Sequence, residues 1–123
     1  MKFFRCLLIL QSAYILLTAL WPLADMESFM LVSGYKTDKW LVKTVSAILI
    51  PIALCLISYI FIPSDLRPAI LLASTTAAGL AAIDFYYASS DVISRVYLLD
   101  GIAELLFLGG WLVFALRYRR QIF

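Results

Sequence analysis

Four long apolar stretches, each bounded by proline or charged residues, set the pattern of this chain. The first covers positions 3–21, interrupted only by Gln11, Ser12 and Thr18, with Arg5 near enough to the start for its charged head to reach an interface. Pro22 is expected to end it. The second covers 41–62, with Thr37 as candidate N-cap ahead of Asp38, an unbroken apolar core from position 45, and Pro63 as its stop. Pro51 inside it predicts a kink, with Ser46 available to satisfy backbone groups that the proline frees. The third covers 68–88 and the fourth 95–116, the latter carrying Gly109 and Gly110 as a candidate bend and closed by Arg117, Arg119 and Arg120. A helix of about 20 apolar residues crosses the hydrocarbon layer. The pattern therefore predicts an all-α, four-helix transmembrane bundle in up-down-up-down order, a single membrane domain over 1–123.

The connections refine this picture. The second and third are short, which predicts that the last three spans lie as antiparallel neighbours in chain order. The first is longer, and Met26, Phe29, Met30, Leu31 and Val32 among polar residues, followed by Gly34, predict a short interfacial helix across one mouth of the bundle. The middle of the third span, 73–82, is almost entirely small residues, so that span is expected at the centre. Lipid offers no hydrophobic drive for helix association, and close approach through pairs such as Thr75/Gly79 and Ala78/Ala82 would supply packing instead.

Composition agrees with a bilayer protein. The 123 residues are 64% hydrophobic and 15% charged, with a mean hydropathy of +0.98, and four spans leave no room for a soluble domain. The net charge of +2 is scattered over span ends, which argues against nucleic-acid binding. There is no histidine, and Cys6 and Cys55 form no CxxC pair, so the common zinc and thioredoxin-like motifs are absent and no cofactor or metal is expected. Both cysteines are expected to act as small apolar fillers. The start resembles a secretory signal, but the apolar stretch is long and no A-x-A-like site follows, which favours an uncleaved anchor. Lys2, Arg5, Arg67, Arg117, Arg119 and Arg120 fall on one side and Lys36, Lys39, Lys43 and Arg95 on the other. That bias predicts a multi-pass protein of the bacterial cytoplasmic (inner) membrane with both ends inside.

One constellation calls for an explanation. Asp84 lies about one turn before the end of the third span, while Asp100 and Glu104 lie four residues apart on one face of the fourth. Glu104 comes out about 13 Å below the start of its helix, near the bilayer midplane. An aspartate at the centre of a span costs about 2.5–3.5 kcal/mol on insertion scales, so such acids face the bundle interior with partners or water. The functional reading is an outward-facing acidic pocket in which Asp84, Asp100 and Glu104 hold a cation, a proton or a basic ligand, with Lys43, Arg95 and Tyr97 beside them and Tyr86 and Tyr87 as further donors. The bland reading is an internal salt-bridge network, with Arg95 and Lys43 as the bases, that fixes helix register. Three acids without metal-ligand spacing are weak ground for a hard-cation site.

A second feature is the run from Gly34 to Thr44, where Lys36, Lys39 and Lys43 recur at helical spacing around Trp40. Anchoring at the membrane boundary explains it, with contact between Lys36, Lys39, Trp40 and an anionic headgroup as the functional alternative.

In length and layout the chain resembles the small four-helix bacterial membrane proteins loosely grouped as DoxX-like, and the segment from Gly34 to Val45 is similar to a motif of that size class. The resemblance implies a cytoplasmic-membrane location and no secure chemistry. Small multidrug-resistance transporters need an acid in the first span, and vitamin K epoxide reductase-like enzymes need a CxxC pair; neither is here. Four-helix sterol isomerases and sterol-binding proteins would use buried acids against a lipid-like cation.

These features favour a non-enzymatic membrane protein that binds or helps to move a small ligand or ion through the acidic pocket. The alternatives are an enzyme acting on a lipid or isoprenoid with Asp100 or Glu104 as acid or base, and a structural accessory subunit. The lipid bilayer and a small ligand or cation are the expected partners, together with a second copy in a homodimer.

Overall fold

The computed structural model describes residues 2–34, 39–62, 65–90 and 95–119. Five helices account for nearly all of them: α1 (Lys2–Ala24), α2 (Met26–Ser33), α3 (Lys39–Phe61), α4 (Arg67–Ser89) and α5 (Val96–Arg117). At 1.5 Å per residue, the four long helices reach about 33–35 Å, enough to cross a hydrocarbon layer about 30 Å thick. All four are apolar enough to do so. Large apolar side chains such as Leu17, Ile48, Leu71 and Leu106 stand exposed along their outer faces, a surface suited to lipid. The protein is an all-α bundle and a multi-pass membrane protein.

The short helix expected after the first span is α2, held by local chemistry. Asp25 adopts an extended conformation and its side chain accepts from the Ser28 backbone N–H, while Gly34 ends the helix at φ 100. Trp21 donates its indole N–H to the Ser28 hydroxyl at 2.8 Å and stacks edge-on against Phe29, which ties α2 to the end of α1. Pro22 does not end α1. It removes one backbone donor, but the helix carries on and the Asp25 N–H still reaches the Trp21 carbonyl at 2.8 Å. The break falls at Asp25 because that residue must leave helical geometry to cap α2. The predicted N-cap Thr37 and stop Pro63 lie outside the described residues; α3 runs through Pro51 without a break.

Packing differs from the expected chain-order arrangement. α1 lies along α3 and α4 along α5, and the two pairs touch each other far less, so α3 and α4 meet only weakly despite their short connection. The inward face of α4 is the row Ala69, Ala73, Ala77 and Ala81, each four residues from the last. Thr75, Ala78, Gly79 and Ala82, the small residues expected to pack, face outward instead. The central position falls to α1, which contacts α2, α3 and α5 and reaches α4 through Gln11.

The two halves of the bundle are unlike. Toward the chain termini the pairs close on a dry core in which Phe4 meets Trp111 edge-on at 5.6 Å and Phe114 at 5.4 Å, with Leu8 and Leu56 fully buried among them. Gly110 lets α5 approach Leu7: a Cβ there would stand 2.8 Å from a Leu7 methyl. Arg5 reaches the Ile60 carbonyl at the end of α3, and Arg67 grips Asp65 at 2.8 Å, holding that exposed carboxyl below its ordinary range. Cys6 and Cys55 are not interior fillers; both are exposed on outer helix faces.

Candidate functional site

Between these halves Gln11 forms a floor. Its side chain is fully buried. Its Nε2 donates to the Ala73 carbonyl of α4 at 2.9 Å, and its Oε1 accepts from Trp111 Nε1 of α5 at 2.5 Å. An indole N–H can only donate and a carbonyl only accept, so the amide fits in a single orientation and joins three helices. The alanine row allows this, since a larger side chain on α4 would shield the Ala73 backbone.

Above that floor, toward α2, a cavity of about 230 Å³ separates the pairs. α1 contributes Tyr14, Ile15, Thr18 and Pro22 to its wall, and α2 covers it with Phe29. Val42, Val45 and Leu49 of α3 and Leu80 and Ile83 of α4 make most of its apolar lining, and Ser46 of α3 adds a hydroxyl. Asp84 from α4 and Tyr97, Asp100 and Glu104 from one face of α5 supply the polar groups.

The three acids predicted from sequence are thus brought together, with Tyr97 beside them. Asp84 and Asp100 line the same cavity, and the Tyr14 hydroxyl donates to Asp100 Oδ1. Asp84 is 5% exposed and Glu104 1%. Oδ2 of Asp84 and Oε2 of Glu104 are buried and meet no hydrogen-bond donor. Buried polar atoms are nearly always satisfied, so two bare carboxylate oxygens at one cavity wall are conspicuous.

The expected bases do not join them. Lys43, Lys39 and Trp40 lie exposed on α3, Arg95 lies exposed at the start of α5, and none of the four lines the cavity. Lys36 lies outside the described residues. Tyr86 and Tyr87 are exposed and pair with each other edge-on at 5.0 Å. Among the described residues the one ion pair is Arg67 with Asp65, so an internal salt-bridge network does not account for Asp84, Asp100 and Glu104. Nor, among the described residues, do three such groups converge on a position that could hold a metal ion.

Tyr14, Thr18 and Ser46 were not foreseen as cavity residues. A signal existed for the first two: Gln11, Tyr14 and Thr18 recur at spacings of three and four, a polar stripe on one helical face. Comparison with known proteins gives no match, whether to a protein-family model, a curated protein or a solved structure.

Proposed function

We propose that this chain is a membrane-embedded binding protein whose cavity takes a small cationic ligand at Asp84, Asp100 and Glu104. The observation that carries this reading is the pair of buried, donorless carboxylate oxygens at a cavity on whose wall no described residue is basic. A carboxylate withdrawn from water into apolar surroundings costs several kcal/mol unless a positive or donating partner compensates. A ligand that brings its own positive charge and N–H or C–H donors supplies what the protein lacks.

The distribution of basic residues supports an orientation with both termini on the cytoplasmic side of a bacterial inner membrane, which would put the cavity in the outer half of the bilayer. The dry aromatic core and the Gln11 floor close the other half, which favours one-sided binding over a through-channel.

Melting of the purified protein in lipid nanodiscs, with and without a panel of inorganic monovalent cations and alkylammonium salts, tests the reading. At least one cation should raise the midpoint of the wild type and fail to do so for Glu104→Gln. If every cation leaves the wild type unmoved, the binding reading is wrong.

A further inference from the structure

The cavity is not equally closed on all sides. The α1–α3 seam is tightly packed, and the α1–α5 seam is crossed by the Tyr14–Asp100 hydrogen bond and by a Tyr14–Phe107 ring contact with centroids 5.7 Å apart. α2 packs against both α1 and α5 and covers the end with Phe29, itself 8% exposed. The α3–α4 seam is the loose one. Beside the α3–α4 connection, Ile70 belongs to the buried core and Tyr59, Ile60 and Leu66 pack against it. Toward α2 the seam presents Val45 and Ile83, both lining the cavity and still 49% and 53% exposed. Both are apolar, and both open onto the helix faces that carry the lipid-suited surface.

We infer that the ligand is a cationic amphiphile already dissolved in the bilayer, which enters sideways between Val45 and Ile83 and places its ammonium head against Asp84 and Glu104 while its chain trails out through the α3–α4 seam. The inference rests on the binding reading above and specifies its ligand. Charge and size argue together. Among the described residues the acids have no counter-charge on the cavity wall, which selects a cation, and no metal position, which selects an organic head over a divalent ion. A space of about 230 Å³ exceeds the ~150 Å³ that encloses a benzene ring, so a trimethylammonium or small cyclic ammonium group fits, whereas a long chain does not and must leave through the open seam. A water-soluble cation would instead need a polar approach. The described side chains that line the cavity at the α2 end, Phe29 and Pro22, are apolar.

The test compares dodecyltrimethylammonium, tetramethylammonium, sodium and dodecanol, each below any micelle-forming concentration, by melting the nanodisc-embedded wild type and the variants Glu104→Gln, Asp84→Asn and Ile83→Trp. Dodecyltrimethylammonium is expected to raise the wild-type midpoint by about 4 °C or more, the shift that saturating binding gives a domain of this size. The other three probes should not, and the shift should vanish in the two acid variants and shrink when Trp at position 83 narrows the seam. Equal stabilisation by tetramethylammonium or sodium would overturn the amphiphile inference and leave the cation reading standing. Equal stabilisation by dodecanol, or the same dodecyltrimethylammonium shift in wild type and both acid variants, would show nonspecific partitioning and overturn it as well. Stabilisation by none of the four overturns it, and the broader panel above then decides the cation reading separately. The probe comparison within the wild type decides the matter even where a variant does not fold.

Discussion

The Tyr14 hydroxyl of α1 donates to the Asp100 carboxylate of α5, joining residues 86 positions apart in the chain across the wall of the cavity. Because α1 belongs to one helix pair and α5 to the other, this bond fixes how far the pairs stand apart at the level of the acids. It also occupies one of the three carboxyl groups with a protein donor. Asp84 and Glu104 are left as the groups a ligand would engage.

A double-mutant cycle measures this link. Tyr14→Phe and Asp100→Leu should each lower the unfolding free energy, and the double variant should lose less than their sum. Interhelical hydrogen bonds in membranes average about 0.6 kcal/mol and reach about 1.7 kcal/mol, so the coupling energy should fall in that range. A coupling indistinguishable from zero would mean that the two groups do not hold the pairs together.

The Gln11 floor predicts a different pattern. Gln11→Leu leaves the Trp111 N–H buried without an acceptor, a loss of about 1–3 kcal/mol. Adding Trp111→Phe removes the orphaned donor, so the double variant should recover part of the stability lost by Gln11→Leu. Neither residue lines the cavity, so the binding affinity of a cation that stabilises the wild type should hold in every variant that stays folded. A loss of affinity parallel to the loss of stability would show that floor and cavity are one unit.

The sequence made the elements legible and left their partners hidden, for a physical reason. Span length, the Asp25 cap and the Gly34 stop are local signals, readable within one turn of chain. Which face of a small-residue helix turns inward is not local, since Ala77 and Ala78 differ in nothing but direction. The regular four-residue spacing of Ala69, Ala73, Ala77 and Ala81 was the better guide, because it keeps one kind of residue on one face where Thr75/Gly79 does not. The acids were legible because charge inside a span is rare. Their expected bases, Lys43 and Arg95, are exposed and stand outside the described cavity lining, a placement that spacing along the chain does not reveal. Tyr14 was passed over because an aromatic ring counts as apolar until its hydroxyl is given a partner.

The alanine row can be tested directly. Ala73→Leu forces three extra heavy atoms into the contact where Gln11 meets the α4 backbone, and overpacking of this kind costs about 1–3 kcal/mol or more. Ala78→Leu adds the same atoms on the exposed side and should change stability by less than about 0.5 kcal/mol. Equal effects at the two positions would contradict the inward face described for α4.

The proposed orientation is open to the same kind of decision. Cys6 and Cys55 are exposed and unpaired, so Cys6→Ser and Cys55→Ser should give a cysteine-free background without opening a void. Glu27 on α2 and Arg119 beyond α5 are exposed at opposite ends of the bundle and serve as single reporter sites. In intact bacterial cells a membrane-impermeant maleimide should label Glu27→Cys, while Arg119→Cys should react only after permeabilisation. The reverse pattern would place both termini outside and move the acidic cavity to the cytoplasmic leaflet. A cationic amphiphile would then have to reach Asp84 and Glu104 from the inner half of the bilayer, where anionic lipids compete for its head.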